Sequence, residues 1–272
     1  MSIDNTTPLM KQYKEIKSKI EHNMKKQFFY LFIATVMIGI GLTSCLKDDN
    51  GDGNDSSIIS YFTIKGTFPD NQLVSDNGVI VIPTRESLIK VTNNKGFGNF
   101  KRAVLSIVYN SVNMTTDEVT KTTTIKYATI VNGQLIPSVN PIDAKTAAEK
   151  KITVADSLFE IKKLEQSWGS VTGYLSTVVQ SEYYINKKRV PVAPTFNVVY
   201  DKADMKENEL KLTFCSNQHR SKDDNNVNIS KFTTSFFIKD ILAQVPGTDS
   251  VKVTLSGQGF EPKVIKFGRN IK

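Results

Sequence analysis

The chain is poor in the residues that carry most enzyme chemistry. Its 272 residues include two cysteines, two histidines and one tryptophan. Cys45 and Cys215 can make at most one pair, so a disulfide framework is excluded. His219 is the only histidine in the body of the chain, in the polar run "CSNQHRSKDDNNVN". A Cys215–His219 nucleophile pair needs spatial adjacency and a third orienting group, which nearness across a strand end does not supply. Zinc needs three or four Cys, His or carboxylate ligands, and soft ligands are too few here. No catalytic residue, metal site or cofactor is therefore expected. Only "YDKADMKENE", with Asp201, Asp204, Glu207 and Glu209, leaves carboxylate hydrolysis open against the plainer reading of a charged turn.

A concentrated basic surface is also missing. The formal net charge is +8, but residues 1–44 hold six lysines against Asp4, Glu15 and Glu21. From Cys45 onward 29 basic residues face 24 acidic ones, a net +5 over 228 residues. Nucleic-acid binding calls for a basic stripe with interleaved aromatics, and the one tight cluster is Lys187-Lys188-Arg189, which reads as a solvated hairpin tip. No nucleic-acid partner is expected.

What is present begins with an address. Lys25-Lys26 precede an apolar stretch from Phe28 to Leu42, followed by small residues and Cys45. As a helix, those 15 residues would span about 22 Å, short of the roughly 30 Å of bilayer hydrocarbon. Leu42-Thr43-Ser44-Cys45 resembles a bacterial lipobox, in which the cysteine is acylated and becomes the first residue of the mature chain. One acyl chain anchors only marginally, and two or more attach stably. Lys47-Asp48-Asp49 resembles the export signal that sends Bacteroidetes lipoproteins to the outer face of the outer membrane; the alternative is a plain acidic tether. Asp48, Asn50, Asp52 and Gly53 match the opening of a calcium loop, but its twelfth position is Ile59 where a bidentate glutamate is required. The expected division is an upstream extension over 1–23 (the start being Met1 or Met24), a signal peptide over 24–44 and a flexible acidic tether over 45–57.

After residue 57 the texture is that of short β-strands between turn residues. "IISYFTIKGTF" (58–68), "GVIVIPT" (78–84), "RAVLSIVYN" (102–110) and "TTTIKYATIV" (122–131) are rich in β-branched and aromatic residues. In the last, period-2 geometry places Thr123, Ile125, Tyr127 and Thr129 on one face. Gly96-Phe97-Gly98 lacks a following helix and reads as a turn. "NPIDAKTAAEKKITVADSLFEI" (140–161) reads as a connector with one turn of helix. Strands resume in "SVTGYLSTVVQSEYYI", "TFNVVYD", "ELKLTFCSNQ", "FTTSFFIKDI", "SVKVTLSGQG" and "KVIKF", which suggests a sandwich of six or seven antiparallel strands. In "ELKLTFC", Leu210, Leu212 and Phe214 share one face.

The arrangement resembles the NigD-like lipoproteins of Bacteroidetes. The matching stretches are Cys45 with its tether, "SDNGVIVIP", "FKRAVLSIVYN", "SWGSVTGYLS", and "TFNVVYD" leading to "ELKLTF". The resemblance implies an all-β chain with an N-terminal OB-like barrel over 58–141, a linker over 142–157 and a β-sandwich over 158–272. It carries no set of functional residues, and its name implies an association with bacteriocin immunity.

Candidate binding residues are few. Trp168 could stack on a sugar or plug the sandwich core. Tyr183-Tyr184 and Phe236-Phe237 are adjacent pairs, so each sends one ring to either face of its strand, leaving one available to a partner. The expected function is a non-enzymatic, surface-displayed binding lipoprotein, held to the membrane through acyl chains on Cys45. A carbohydrate-binding accessory of a glycan-uptake system is the alternative. A protein or a glycan is the expected ligand.

Overall fold

The computed structural model describes residues 55–152, 161–185, 191–217, 227–269 and 271. Cys45, Lys47, Asp48 and Asp49, together with Lys187-Lys188-Arg189 and His219, lie outside the described residues.

The first lobe is a closed barrel. Its strands are β1 (Asp55–Lys65), β2 (Gln72–Ser75), β3 (Ile80–Pro83), β4 (Arg102–Asn110), β5 (Met114–Thr116) and β6 (Thr123–Ile136), with helix α1 (Arg85–Val91) between β3 and β4. The pairings run β3-β2-β1-β4-β6, and a parallel β3–β6 contact closes the ring, with β5 extending the β4 side of β6. Five strands closed in this way form the expected OB-type barrel. Phe62, Leu73, Val81, Leu105, Ile107 and Ile125 fill its interior, with Leu88 of α1 closing it. The helix starts at Thr84, whose hydroxyl accepts from the Ser87 amide and satisfies one of the donors a helix start leaves free.

The period-2 expectation for β6 fails first at Tyr127. Ile82 faces Lys126 and Pro83 faces Ala128, so Tyr127 is an extra, bulged residue with φ +55°. Ile125 points into the core, Tyr127 points out, and Ala128 and Ile130 point in again. A bulge inserts one residue and flips the alternation, which strand periodicity alone does not reveal. Val131 is a second such residue, skipped between Asn132 opposite Ser106 and Ile130 opposite Ile107.

The second lobe is a sandwich of two five-stranded sheets among the described residues. One holds β7 (Ser138–Val139), β9 (Ile161–Gly169), β10 (Tyr174–Ile185), β11 (Pro191–Val192) and β14 (Val227–Phe237). The other holds β8 (Ile142–Asp143), β12 (Thr195–Tyr200), β13 (Glu209–Asn217), β15 (Val251–Gly257) and β16 (Phe260–Phe267). Leu175, Val179 and Phe236 of the first sheet meet Phe196, Val198, Leu210, Leu212, Phe214 and Val253 of the second. The sheets are not purely antiparallel as expected: β13 pairs with β15 in parallel, and β7 and β8 join β14 and β12 in parallel.

Those two short strands also shift the expected boundary. The chain leaving the barrel after Ile136 joins one sandwich sheet at Ser138–Val139 and the other at Ile142–Asp143. The sandwich therefore recruits residues that the sequence assigns to barrel and linker. Asp143 then caps α2 (Ala144–Glu149) by accepting from the Thr146 amide and hydroxyl, which supplies the single helical turn expected there.

Candidate functional site: the seam between barrel and sandwich

The barrel's outer face over β1, β2 and the start of β4 is pressed against the sandwich. Three local structures build the contact. The first is the β2–β3 turn, Ser75-Asp76-Asn77-Gly78, where Gly78 adopts φ +93° and donates its amide to the Ser75 carbonyl. Asn-Gly in a two-strand connection favours such a turn because glycine enters positive φ without steric cost. The turn places Asp76 at the seam: its amide binds the Tyr61 carbonyl, and its own carbonyl accepts from the Val171 amide of the sandwich.

The second is the first residue of β4, Arg102, which is fully buried. Its guanidinium donates to both carboxylate oxygens of Asp76 at 2.5 and 2.8 Å, to Thr63 Oγ1 at 3.1 Å and to Ser176 Oγ at 3.0 Å. The Tyr174 ring packs against it, 5.1 Å from the guanidinium carbon to the ring centre. Of the three Arg102 nitrogens, Nε is the one buried without a partner. A buried cation is tolerated when a carboxylate and further acceptors surround it, and the planar fork of arginine suits both carboxylate oxygens at once.

The third is the β9–β10 hairpin, "SWGSVTGYLS". Gly173, at φ +84°, lets the turn close with the Gly173 amide on the Ser170 carbonyl. A Cβ there would sit 2.5 Å from Lys239 Cβ, so glycine is needed for space as well. Ser170 Oγ accepts from the Tyr174 amide and meets Thr172 Oγ1, which meets Thr63 Oγ1 of the barrel at 2.6 Å. Trp168 donates its indole N–H to Asp76 Oδ2 at 2.7 Å and packs on Tyr61, ring centres 4.5 Å apart. Burial pushes the Tyr61 phenol up, the Asp76 carboxylate adds to the rise, and Arg102 and a hydrogen bond with Thr233 oppose it. Burial likewise pushes up the Tyr174 phenol.

The arrangement is a clasp. One carboxylate accepts from an arginine of its own lobe and a tryptophan of the other. The arginine reaches across to Ser176, which in turn meets Ser235 of β14. OB barrels grip oligomers on the β2–β3 face and its flanking loops. Here the outward-facing Val74 of β2 and Thr63 of β1 are buried, and the β2–β3 turn docks on Val171 and Trp168. Much of that gripping surface is used inside the molecule.

The sequence-derived candidates do not assemble into a site. Trp168 stands outside the sandwich core; it is half-buried at the seam, with its ring against Tyr61 and its N–H on Asp76. Tyr184 is buried, and Tyr183 is half-buried with its ring edge on Phe232. Phe236 lies in the core, touching Phe214, and Phe237 is half-buried against Tyr174. Neither pair leaves a ring fully exposed: the outer ring of each, Tyr183 and Phe237, is half-buried against a neighbouring ring. Asp201 folds back on the Ala203 amide, and Glu209 opens β13, so the carboxylates of this turn are spread along it. Cys215 is buried, and burial pushes its thiol up to about 11. Asp76 and Arg102 are not among the sequence-derived candidates; the one signal for them is a charged residue at the start of an otherwise apolar strand, "RAVLSIV".

The fold and clasp define a two-lobed all-β body, an OB-type barrel locked onto a β-sandwich. No family model matches the chain, and no curated protein matches it. Among solved structures it is similar to a NigD-like immunity protein from Bacteroides caccae, at 13% identity and a TM-score of 0.43, covering 78% of this chain and 92% of that one. It is also similar to a candidate lipoprotein from Bacteroides fragilis, at 12% identity and a TM-score of 0.49, covering 78% and 98%. A candidate toxin-related protein from Parabacteroides distasonis is similar at 14% identity and a TM-score of 0.47, covering 79% and 95%.

Proposed function

We propose that this chain is a lipoprotein anchored through Cys45 and displayed on the outer face of an outer membrane, where it binds a partner without catalysis. The address rests on the lipobox-like "LTSC" and on Lys47-Asp48-Asp49 behind it. The observation that carries the non-catalytic role is the clasp. The one fully buried charged side chain among the described residues, Arg102, joins the two lobes, and its carboxylate partner does the same. A substrate would have to separate the lobes to reach Arg102. A protein partner is preferred to a glycan because Trp168, the lone tryptophan, donates its N–H to Asp76 and packs on Tyr61.

Proteinase treatment of intact cells tests the address: the anchored protein is cleaved without lysis, and protection would place it on an inner face. Crosslinking on the same cells should recover a protein neighbour. Binding to a glycan array would overturn the protein-partner reading. Immunity is the specific form suggested by the NigD-like resemblance. It predicts that a deletion strain is killed by bacteriocin-producing relatives that spare the parent, and equal survival would exclude it.

A further inference from the structure

The chain enters the barrel at Asp55, which pairs with Asn110 at the end of β4. Beyond Asn110 the chain turns through Ser111–Asn113 and continues as β5 along β6, with Met114 opposite Ile125 and Thr116 opposite Thr123. Val108 is opposite Thr129, so the β5–β6 hairpin projects past the level of Asp55 in the direction from which the tether arrives. That overhang is about 13 Å to Thr123 at strand rise, with the turn 117–122 further out. Apolar side chains are exposed along it: Val112 at 72%, Met114 at 44%, Val119 at the tip at 91%, and Tyr127 at its base at 71%. Tyr127 sits on a bulge at positive φ, a costly conformation for a ring-bearing residue, and the ring it presents touches solvent. Scattered exposed apolar residues are ordinary, but a group gathered at one end of a lobe marks an interaction surface.

The length of chain before Asp55 says what meets this end. Nine residues lie between Cys45 and Asp55, ten chain steps in all, and they are rich in Gly, Asp and Asn. Such a tether has an average span of about 17 Å and a limit of about 35 Å. The average span is close to the reach of the hairpin, so a barrel held by Cys45 brings its hairpin tip to the bilayer surface. We propose that this end of the barrel, led by Val112, Val119 and Tyr127, rests in the headgroup layer of the membrane that holds the acyl chains. The inference depends on the lipid anchor proposed above and adds an orientation to it. Tyrosine suits that layer, its ring on the apolar side and its hydroxyl in water. Asp117, Glu118 and Lys121 share the turn with Val119, Lys126 follows on β6, and Asp117 accepts from the Val119 and Thr120 amides. Charges of both signs hold the contact at headgroup depth and out of the hydrocarbon. The sandwich is then the lobe presented to the surroundings.

The test uses the full lipidated protein in phosphatidylcholine–phosphatidylglycerol vesicles. A polarity-sensitive fluorophore is placed at Val119→Cys, with Lys263→Cys on β16 as the reference, in the sandwich sheet that contributes nothing to the clasp. Nitroxide-labelled lipid should quench the label at 119 at least about twofold and leave that at 263 nearly unchanged. Vesicle-bound protein with an unquenched, solvent-like label at 119 would overturn the orientation while leaving the anchor intact. A label at 119 shielded by a second copy or another protein, and still unquenched by lipid, would overturn it equally. Failure of the wild type to float with vesicles, or equal flotation of Cys45→Ser, would overturn the anchor and this inference with it.

Discussion

Removing the carboxylate of the clasp should loosen the whole seam. In Asp76→Ala, Arg102 keeps only Thr63 and Ser176 as acceptors while remaining fully buried, and Trp168 loses its N–H partner. Stranding a buried charge costs about 3–5 kcal/mol, a third or more of the total stability of a typical domain. The arginine-side deletion, Arg102→Met, strands the carboxylate and should cost a similar amount. The double variant Asp76→Ala/Arg102→Met should be less destabilised than the two single losses added together, with a coupling of about 2 kcal/mol or more. Trp168 is the only tryptophan and lies at the seam, so its emission reports the contact directly. In urea the midpoint for Asp76→Ala should fall by more than about 1 M at a slope of about 3 kcal/mol/M, and the Trp168 emission should shift to the red before the main transition. A loss below about 1 kcal/mol with unchanged Trp168 emission would refute the clasp, because a fully buried arginine cannot lose its counter-charge so cheaply.

Three further outcomes follow from single residues. Tyr127→Gly should raise stability by about 1 kcal/mol in urea melts, because glycine holds φ +55° without strain, whereas Tyr127→Ala should bring no such gain. Gly259→Ala should cost about 3 kcal/mol or more, since Gly259 has φ +86° and an added Cβ would meet the Ile161 carbonyl oxygen at 2.0 Å; thermal melting checks this. Cys215 should resist thiol reagents at pH 8 until the protein unfolds. With its thiol pushed up to about 11 by burial, the unfolded chain ionises first as pH rises, so its contribution is complete below about 9 and is lost towards 11.

The strands were legible where apolar alternation is uninterrupted. "RAVLSIVYN" is β4 residue for residue, and the Leu210, Leu212 and Phe214 face is the sandwich core. The strands that escaped detection had physical reasons to do so. β7, β8 and β11 are two residues long and exist only because a neighbour pairs with them, and β9 carries Lys162, Lys163, Glu165 and Gln166 along its length. The bulge at Tyr127 is written in no periodicity, because the extra residue breaks the alternation that would announce it. The seam was hidden for a different reason. Its members come from three distant stretches, "SDNGVIVIP", "FKRAVLSIVYN" and "SWGSVTGYLS", each of which reads alone as a turn or strand. The fold brings these stretches to one place: Asp76, Arg102 and Trp168 touch within it.

The central claim is a two-lobed body held at a membrane by its cysteine. Mass spectrometry of the protein purified from membranes tests it most directly. The mature chain should begin at Cys45, carry acyl chains there, and gain no thiol label at Cys215 until denatured. A chain that begins upstream of Cys45, or shows Cys45 as a free thiol, would contradict the anchor and the display it supports.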